Sequence, residues 1–287
     1  MEVKLRKMAF GIILGFALTS CDKFEMRGFV MSHESANQRF EQSMAWNFLH
    51  PYKTIVVPDD EYTLYVMGDS HVGNTENLDH FIEEASDTNA DAIVMVGDIT
   101  TGHEKDYHTF FQHIPNQDSL LTFQVVGNHD LYFDGWTHFY ELFGSTTYYF
   151  TIETPNATDL FICIDTGGGT LGSSQLDWLK NLLEIERSKY RRCVIFTHNN
   201  LFRIRHTTST NPNVEELHVL IELCVVHQID VVVTGHDHKR NVVQLGNTVH
   251  ITLDALEDAS KNPGYCILSN YQGEIQYEFI EIDQFEN

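Results

Sequence analysis

The sequence predicts an α/β fold, and three observations carry that prediction. Short apolar, β-branched runs alternate with stretches of helical period, as in strand–helix–strand units around a largely parallel sheet. The runs Tyr62 to Met67, Ala92 to Val96, Phe123 to Val126 and Val231 to Thr234 each stop at a glycine followed by Asp, Asn or His, which is turn chemistry. With 287 residues and 42% hydrophobic content, the chain can bury one large core or two small ones.

In chain order, Ser35 to His50 places Phe40, Met44, Phe48 and Leu49 at helix-like spacing, so a helix packed on the domain is expected. Strand to Met67, helix near Leu78 to Ala85, strand to Val96, helix near Tyr107 to His113, strand to Val126 and helix near Gly135 to Phe143 make a right-handed α/β half. Thr147 to Ile152 and Leu160 to Asp165 read as a hairpin, Ser173 to Ile185 as an amphipathic helix, Cys193 to Phe196 as a strand and Val214 to Val226 as a helix. Val231 to Thr234 returns a strand to the site. Asn241 to Gln244, Thr248 to Leu253, Tyr265 to Leu268 and Glu274 to Ile282 then look like an antiparallel closing set. No internal repeat is visible.

Five clusters sit at strand ends: Gly68-Asp69-Ser70-His71, Gly97-Asp98, Gly127-Asn128-His129-Asp130, Thr197-His198 and Gly235-His236-Asp237-His238. Loops at the carboxyl ends of strands in an open α/β sheet converge on one crevice, so these residues can become neighbours. Their most economical reading is a two-metal centre. Two cations about 3.5 to 4 Å apart need a bridging anion and several neutral or anionic ligands, and the clusters supply both. Oxygen and imidazole donors without thiolate favour Mn, Fe, Co, Ni or Zn over calcium, and do not form a closed structural zinc site.

The order and spacing of the clusters resemble the calcineurin-like metallophosphoesterase family, whose pattern is Asp-x-His, Gly-Asp, Gly-Asn-His-(Asp/Glu), His and Gly-His-x-His. One such cluster alone would be ordinary turn chemistry; five in family order are not. The resemblance implies two packed mixed β-sheets flanked by helices on both sides, a four-layer α/β/β/α sandwich. It implies that Asp69, His71 and His238 hold one divalent metal, Asn128, His198 and His236 the other, and that Asp98 bridges them. A water or hydroxide shared by the two ions would attack phosphorus in line. His129 would be the general acid for the leaving oxygen, with Asp130 raising and orienting its imidazole. Val126 and Thr100-Thr101-Gly102 stand where protein Ser/Thr phosphatases of the superfamily carry Arg and Asp-Arg-Gly, and Thr101 stands where purple acid phosphatases carry Tyr. What remains resembles the bacterial phosphodiesterase-like branch.

Residues 1–20 read as a lipoprotein signal peptide. Lys4, Arg6 and Lys7 precede an apolar stretch from Met8 to Leu18 that is short for a bilayer span. Leu18-Thr19-Ser20-Cys21 then resembles a bacterial lipobox, which implies a lipidated Cys21 and an exported, membrane-anchored protein. Residues 21–53 are the anchor and helical segment, and 54–287 the catalytic domain. The formal net charge of −23 repels polyanions, so long nucleic acid is not an expected partner and a small phosphoester substrate is. Cys163, Cys193, Cys224 and Cys266 lie in apolar runs without close pairing and read as buried free thiols.

Some signals are weaker. Gly167-Gly168-Gly169 is not followed by Gly-Lys-Ser/Thr and reads as a loop. His103, His108 and His113 are five residues apart, a step of about 140° on a helix that separates them. Asn199, Asn200, Arg203, Arg205 and His206 follow a candidate ligand and, with Asn128, are candidates for lining the substrate pocket. Two other functions are compatible with the same residues: a binding lipoprotein that keeps the fold without catalysis, and a phospholipid or glycolipid headgroup hydrolase.

Overall fold

A computed structural model describes residues 33–202 and 214–283. Two mixed sheets pack face to face. Helix α1 (Ala36–Leu49) leads to β1 (Thr54–Val56) and β2 (Tyr62–Met67); α2 (Glu76–Asp87), β3 (Ala92–Val96), α3 (Glu104–His113) and β4 (Thr122–Val125) follow. A 3-10 turn (His129–Asp134) opens α4 (Gly135–Phe143), and β5 (Tyr148–Glu153), β6 (Thr158–Cys163), α5 (Gly172–Glu186) and β7 (Cys193–Phe196) come next. The chain closes with α6 (Val214–Val226), β8 (Val231–Thr234), β9 (Asn241–Leu245), β10 (Thr248–Thr252), β11 (Gly264–Tyr271) and β12 (Glu274–Glu281).

The larger sheet has the order β1-β5-β6-β7-β8-β10-β9 and the smaller β12-β11-β2-β3-β4. Strand alternation builds the layers. Leu64, Val66, Val94 and Val96 face the larger sheet's Phe161, Cys163, Val194, Phe196, Val231 and Val233 across a central core. The intervening residues Tyr65, Met67, Ile93 and Met95 face outward onto Leu78, Phe81, Tyr107, Phe110 and Phe139 of α2, α3 and α4. Leu160, Ile162, Ile195 and Val232 pack on the other side against Leu179, Leu183, Leu220 and Cys224 of α5 and α6. Strands buried on both faces explain why they read as continuous apolar runs. A column of rings joins the sheets: Phe123 stacks on Phe150 at 3.7 Å, and Phe150 on Phe161 at 4.8 Å.

The expected four-layer sandwich is therefore observed, and so is the expected N-terminal helix. Ser35 caps α1 in a reciprocal box with Gln38, and α1 packs against α5. The closing set differs from expectation. β9 and β10 form one hairpin, but β10 runs parallel to β8 in the larger sheet, whereas the β11–β12 hairpin joins the smaller sheet antiparallel to β2. Hydrophobic period marks a strand but not its non-local partner, and β1, a three-residue edge strand parallel to β5, gave no periodic signal. The four cysteines named above are buried free thiols. No helix among the described residues is long and apolar enough to cross a membrane. The signal region, Cys21, Arg203, Arg205 and His206 lie outside the described residues.

Candidate metal centre

The crevice at the carboxyl ends of β2, β3, β4, β7 and β8 collects every candidate ligand. After β2 and β3 the chain keeps pairing beyond the strands: Asp69 N–H donates to Gly97 O at 3.0 Å, His71 N–H to Asp98 O at 2.9 Å and Val72 N–H to Ile99 O at 3.1 Å. Asp69, His71, Asp98, His236 and His238 all have left-handed backbones, with φ between 40° and 72°. That conformation costs roughly 1 kcal/mol or more per non-glycine residue and persists where its surroundings over-determine it, which is common at functional sites. Gly127 is required by closeness, because a Cβ there would overlap Oδ1 and the backbone nitrogen of Asp98.

The side chains form two groups that share Asp98. Asp69, His71, Asp98 and His238 place ligand atoms within 4.8 Å of one another, as do Asp98, His198 and His236. In the first group, His71 Nε2 and His238 Nε2 are 3.2 Å apart, and His238 Nε2 lies 3.2 Å from Asp69 Oδ1. In the second, His236 Nδ1 is 3.2 Å from His198 Nε2, and Asn128 Oδ1 is 3.3 Å from that same nitrogen. Asp98 Oδ2 faces both groups, 3.8 Å from His71 Nε2 and 3.3 Å from His198 Nε2.

This arrangement fits cations. His198 Nδ1 donates to Val96 O at 2.9 Å, which leaves Nε2 with its lone pair toward the cluster. Asp69 Oδ2 and Asp98 Oδ1 accept the backbone N–H of His236 and His129, at 2.8 and 2.7 Å, so each carboxylate is oriented by one oxygen and presents the other. Asp69 Oδ1 is buried, with His238 Nε2 at 3.2 Å as its nearest polar neighbour. Carboxylate, amide and imidazole atoms converging at such distances in a buried cleft are the ligand set a divalent cation takes. Burial alone would raise the Asp69 carboxyl, yet His238 beside it holds it below the usual carboxylate range. Burial pushes the His71 imidazole down to about 3, against the pull of Asp98. For His198 burial also lowers, but the Asp98 carboxylate prevails and raises it.

His129 stands beside the cluster rather than within it. Its half-buried ring meets the His71 ring edge-on at 4.4 Å and the Tyr132 ring at 4.8 Å. Asp130 does not orient it, contrary to the sequence expectation. The Asp130 carboxylate, fully buried, instead accepts Gly127 N–H at 2.8 Å, Thr100 N–H at 2.9 Å, Thr100 Oγ1–H at 3.1 Å and Ile99 N–H at 3.3 Å. Successive side chains in a 3-10 turn point about 120° apart, so Asp130 clamps the loops after β3 and β4 while His129 faces the crevice. Burial raises its carboxyl.

Asn199 and Asn200 also differ from expectation. Both are buried, and their amides build loops instead of facing a substrate. Asn199 Nδ2 donates to Thr166 O, and Asn200 bonds Phe202 through both amide atoms and Asp237 Oδ2 at 2.9 Å. The three histidines of the 103–113 string are separated as expected: His103 stacks on Phe133, His108 pairs with Glu104, and His113 Nδ1 lies 2.5 Å from Asp79 Oδ1. Sequence reasoning missed Arg39, Asp165 and Gln175, which support the loop after β6. Their buried polar character shows only in three dimensions.

Compared with curated protein sequences, the chain finds no match. Among solved structures it is similar to GAP50, the anchor in the inner membrane complex of Plasmodium, with TM-score 0.62 and 13% identity over 78% of this chain and 85% of that one. It is similar to a dimetal phosphatase from Danio rerio, with TM-score 0.58 and 14% identity over 76% and 95%. A putative 5'-nucleotidase from Staphylococcus aureus gives TM-score 0.55 and 14% identity over 79% of this chain but 55% of its own. At these identities the likeness is one of fold. The sequence model of the calcineurin-like phosphoesterases matches residues 62–240, a span that contains all five clusters, and the chain therefore belongs to the calcineurin-like phosphoesterase family.

Proposed function

We propose that the protein hydrolyses small phosphodiesters or phosphomonoesters with a pair of divalent transition-metal ions. The observation that carries this reading is the convergence of seven donors into two groups joined by Asp98. Asp69, His71 and His238 would hold one ion and Asn128, His198 and His236 the other. When bound, such a pair supplies Lewis acidity, polarising the phosphoryl group and making water nucleophilic at neutral pH. Two carboxylates against two dications leave the site net positive, which binds a phosphoester in a chain whose net charge of −23 repels long polyanions.

The protein's own groups supply orientation and the proton. Among the described residues, His129 is the one imidazole at the crevice edge outside both groups, and its backbone N–H on Asp98 Oδ1 ties its position to the carboxylate the groups share. In this reading its ring donates to the leaving oxygen. The signal and lipobox pattern ending at Cys21 supports an exported enzyme held to a membrane by its N-terminus.

The test is an assay of the full chain in detergent, loaded with Mn²⁺, on bis-p-nitrophenyl phosphate and p-nitrophenyl phosphate. Turnover of either ester that falls about 10²- to 10⁴-fold in His129→Ala, with metal content unchanged, is expected. Two bound metals without turnover of either ester would favour a binding protein. Mass spectrometry of the membrane-extracted protein should show acylated Cys21 as the first residue; an unmodified terminus would exclude the anchor.

A further inference from the structure

The family match begins at residue 62, yet α1, which ends before it, reaches through Arg39 the loop after β6, which lies against the loops that carry Asn128 and His198. Arg39 lies on the buried face of α1 and is 2% exposed. Its Nε donates to Asp165 Oδ2 at 2.7 Å, Nη2 to Asp165 Oδ1 at 3.3 Å and Nη1 to Glu34 O at 2.8 Å. A planar guanidinium on both oxygens fixes the orientation of a carboxylate as well as its position. Asp165 opens the loop between β6 and α5, and its Oδ1 also accepts Gly167 N–H at 2.9 Å. Gln175 closes the arrangement from α5, accepting Asp165 N–H and donating to Asp165 O, both at 2.8 Å.

Held in this way, the loop touches both sources of second-group ligands. A Cβ on Gly167 would lie 2.7 Å from Gly127 O, so the two backbones are in direct contact beside Asn128. Thr166 Oγ1 hydrogen-bonds Thr197 Oγ1 at 2.7 Å and accepts Asn199 N–H at 2.9 Å, which brackets His198 from either side. Among the described residues, no hydrogen bond runs from α1 to the loops carrying Asp69, His71 or His238.

We infer that Arg39 is a positioning residue for the second metal, acting through Asp165 and the 165–169 loop on Asn128 and His198. This role rests on the two-metal reading above and lies outside the span matched by the family. Without the guanidinium, the Asp165 carboxylate would be buried and uncompensated. The carboxylate would then have to find another partner, and the loop that braces Asn128 and His198 would shift. Outer supports of this kind typically change metal affinity 10- to 100-fold.

The experiment is a Mn²⁺ titration of the full chain in detergent, read by electron paramagnetic resonance and by metal content. It compares wild type, Arg39→Gln, Arg39→Lys, Asn128→Ala, the Arg39→Gln/Asn128→Ala double variant and Asn47→Ala. Asn47 donates to Thr147 O at 2.8 Å at the far end of α1, away from Asp165, and serves as the control for loosened α1 packing. The expected result is that Arg39→Gln weakens one of two sites about 10- to 100-fold and leaves the other unchanged. Arg39→Lys should restore part of the loss. In an Asn128→Ala background Arg39→Gln should add less than it does alone, because only its path to His198 remains, and Asn47→Ala should lower the melting temperature without selectively weakening one site. Unchanged affinities in a folded Arg39→Gln protein would overturn the inference, as would equal weakening of both sites. Should Arg39→Gln fail to fold, hydrogen exchange of metal-free Arg39→Lys decides: faster exchange at Gly167 and Asn199 supports the role, and wild-type protection there overturns it. Wild-type protein binding fewer than two ions would overturn the two-metal reading, and this role with it.

Discussion

The two halves of the candidate metal centre are held by different means. The half containing Asp69 and His71 continues a β-ladder: the loops after β2 and β3 pair backbone to backbone as far as Val72, and Glu257 N–H adds a bond to Asp69 O at 3.0 Å. The half containing Asn128 and His198 has ladder bonds at His198 alone, Thr197 N–H to Val233 O at 3.1 Å and Gly235 N–H to His198 O at 3.0 Å, and adds to them side-chain braces from distant segments. Asp130 holds Gly127, Thr146 Oγ1 accepts Val126 N–H at 2.9 Å, Thr166 brackets His198, and Arg39 stands behind Asp165. A ladder places residues by local pairing and tolerates change around it. A side-chain brace depends on each buried polar group finding its partner, and its removal leaves an unsatisfied atom.

The largest effect expected is at the carboxylate the halves share. Asp98→Ala removes the acceptor that faces both groups and the Oδ1 that holds His129 N–H. Both ions should be lost and turnover should fall by roughly 10³-fold or more, checked by metal analysis beside the ester assay. Retention of two metals would mean the halves are independent. Next comes the brace itself. Asp130→Ala leaves the buried Ile99, Thr100 and Gly127 N–H groups without their acceptor, and should cost about 3 to 5 kcal/mol in urea unfolding. A cost near zero would show that the loops hold without it.

A smaller effect concerns pH and the outer face of the larger sheet. His250 on β10 packs edge-on against Phe202, four residues beyond His198, and neither ring nitrogen is hydrogen-bonded among the described residues. Burial pushes its imidazole down to about 4. The unfolded chain therefore takes up a proton below about pH 6.5 that the folded chain refuses, so stability falls as pH drops from there toward 4. In metal-free protein, His250→Phe should flatten that part of the pH profile of the melting temperature. An identical profile would place the acid sensitivity elsewhere.

The same contrast explains what the sequence discloses. Asp69, His71, Asp98, His236 and His238 follow their strands within a few residues, so apolar runs and Gly-Asp or Gly-His endings locate them without coordinates. Asn128 and His198 were legible for the same reason. Asp130 was misread because adjacency in sequence suggested adjacency to His129, whereas the 3-10 turn sends the two side chains apart. Asn199 and Asn200 were misread because a polar pair after a ligand resembles a pocket lining, and only the fold shows them buried under Thr166 and Asp237. Arg39 and Asp165 are 126 residues apart, and no local pattern links them. The partners of β9 to β12 were hidden for an equivalent reason, since period-2 alternation defines faces and leaves the choice of sheet to non-local pairing.

The most direct test of the account is a crystal structure of the protein grown with Mn²⁺, with an anomalous difference map at the manganese edge. Two peaks about 3.5 to 4 Å apart are expected, one against Asp69, His71 and His238, the other against Asn128, His198 and His236, with Asp98 between them. A single peak, or peaks away from these residues, would contradict it.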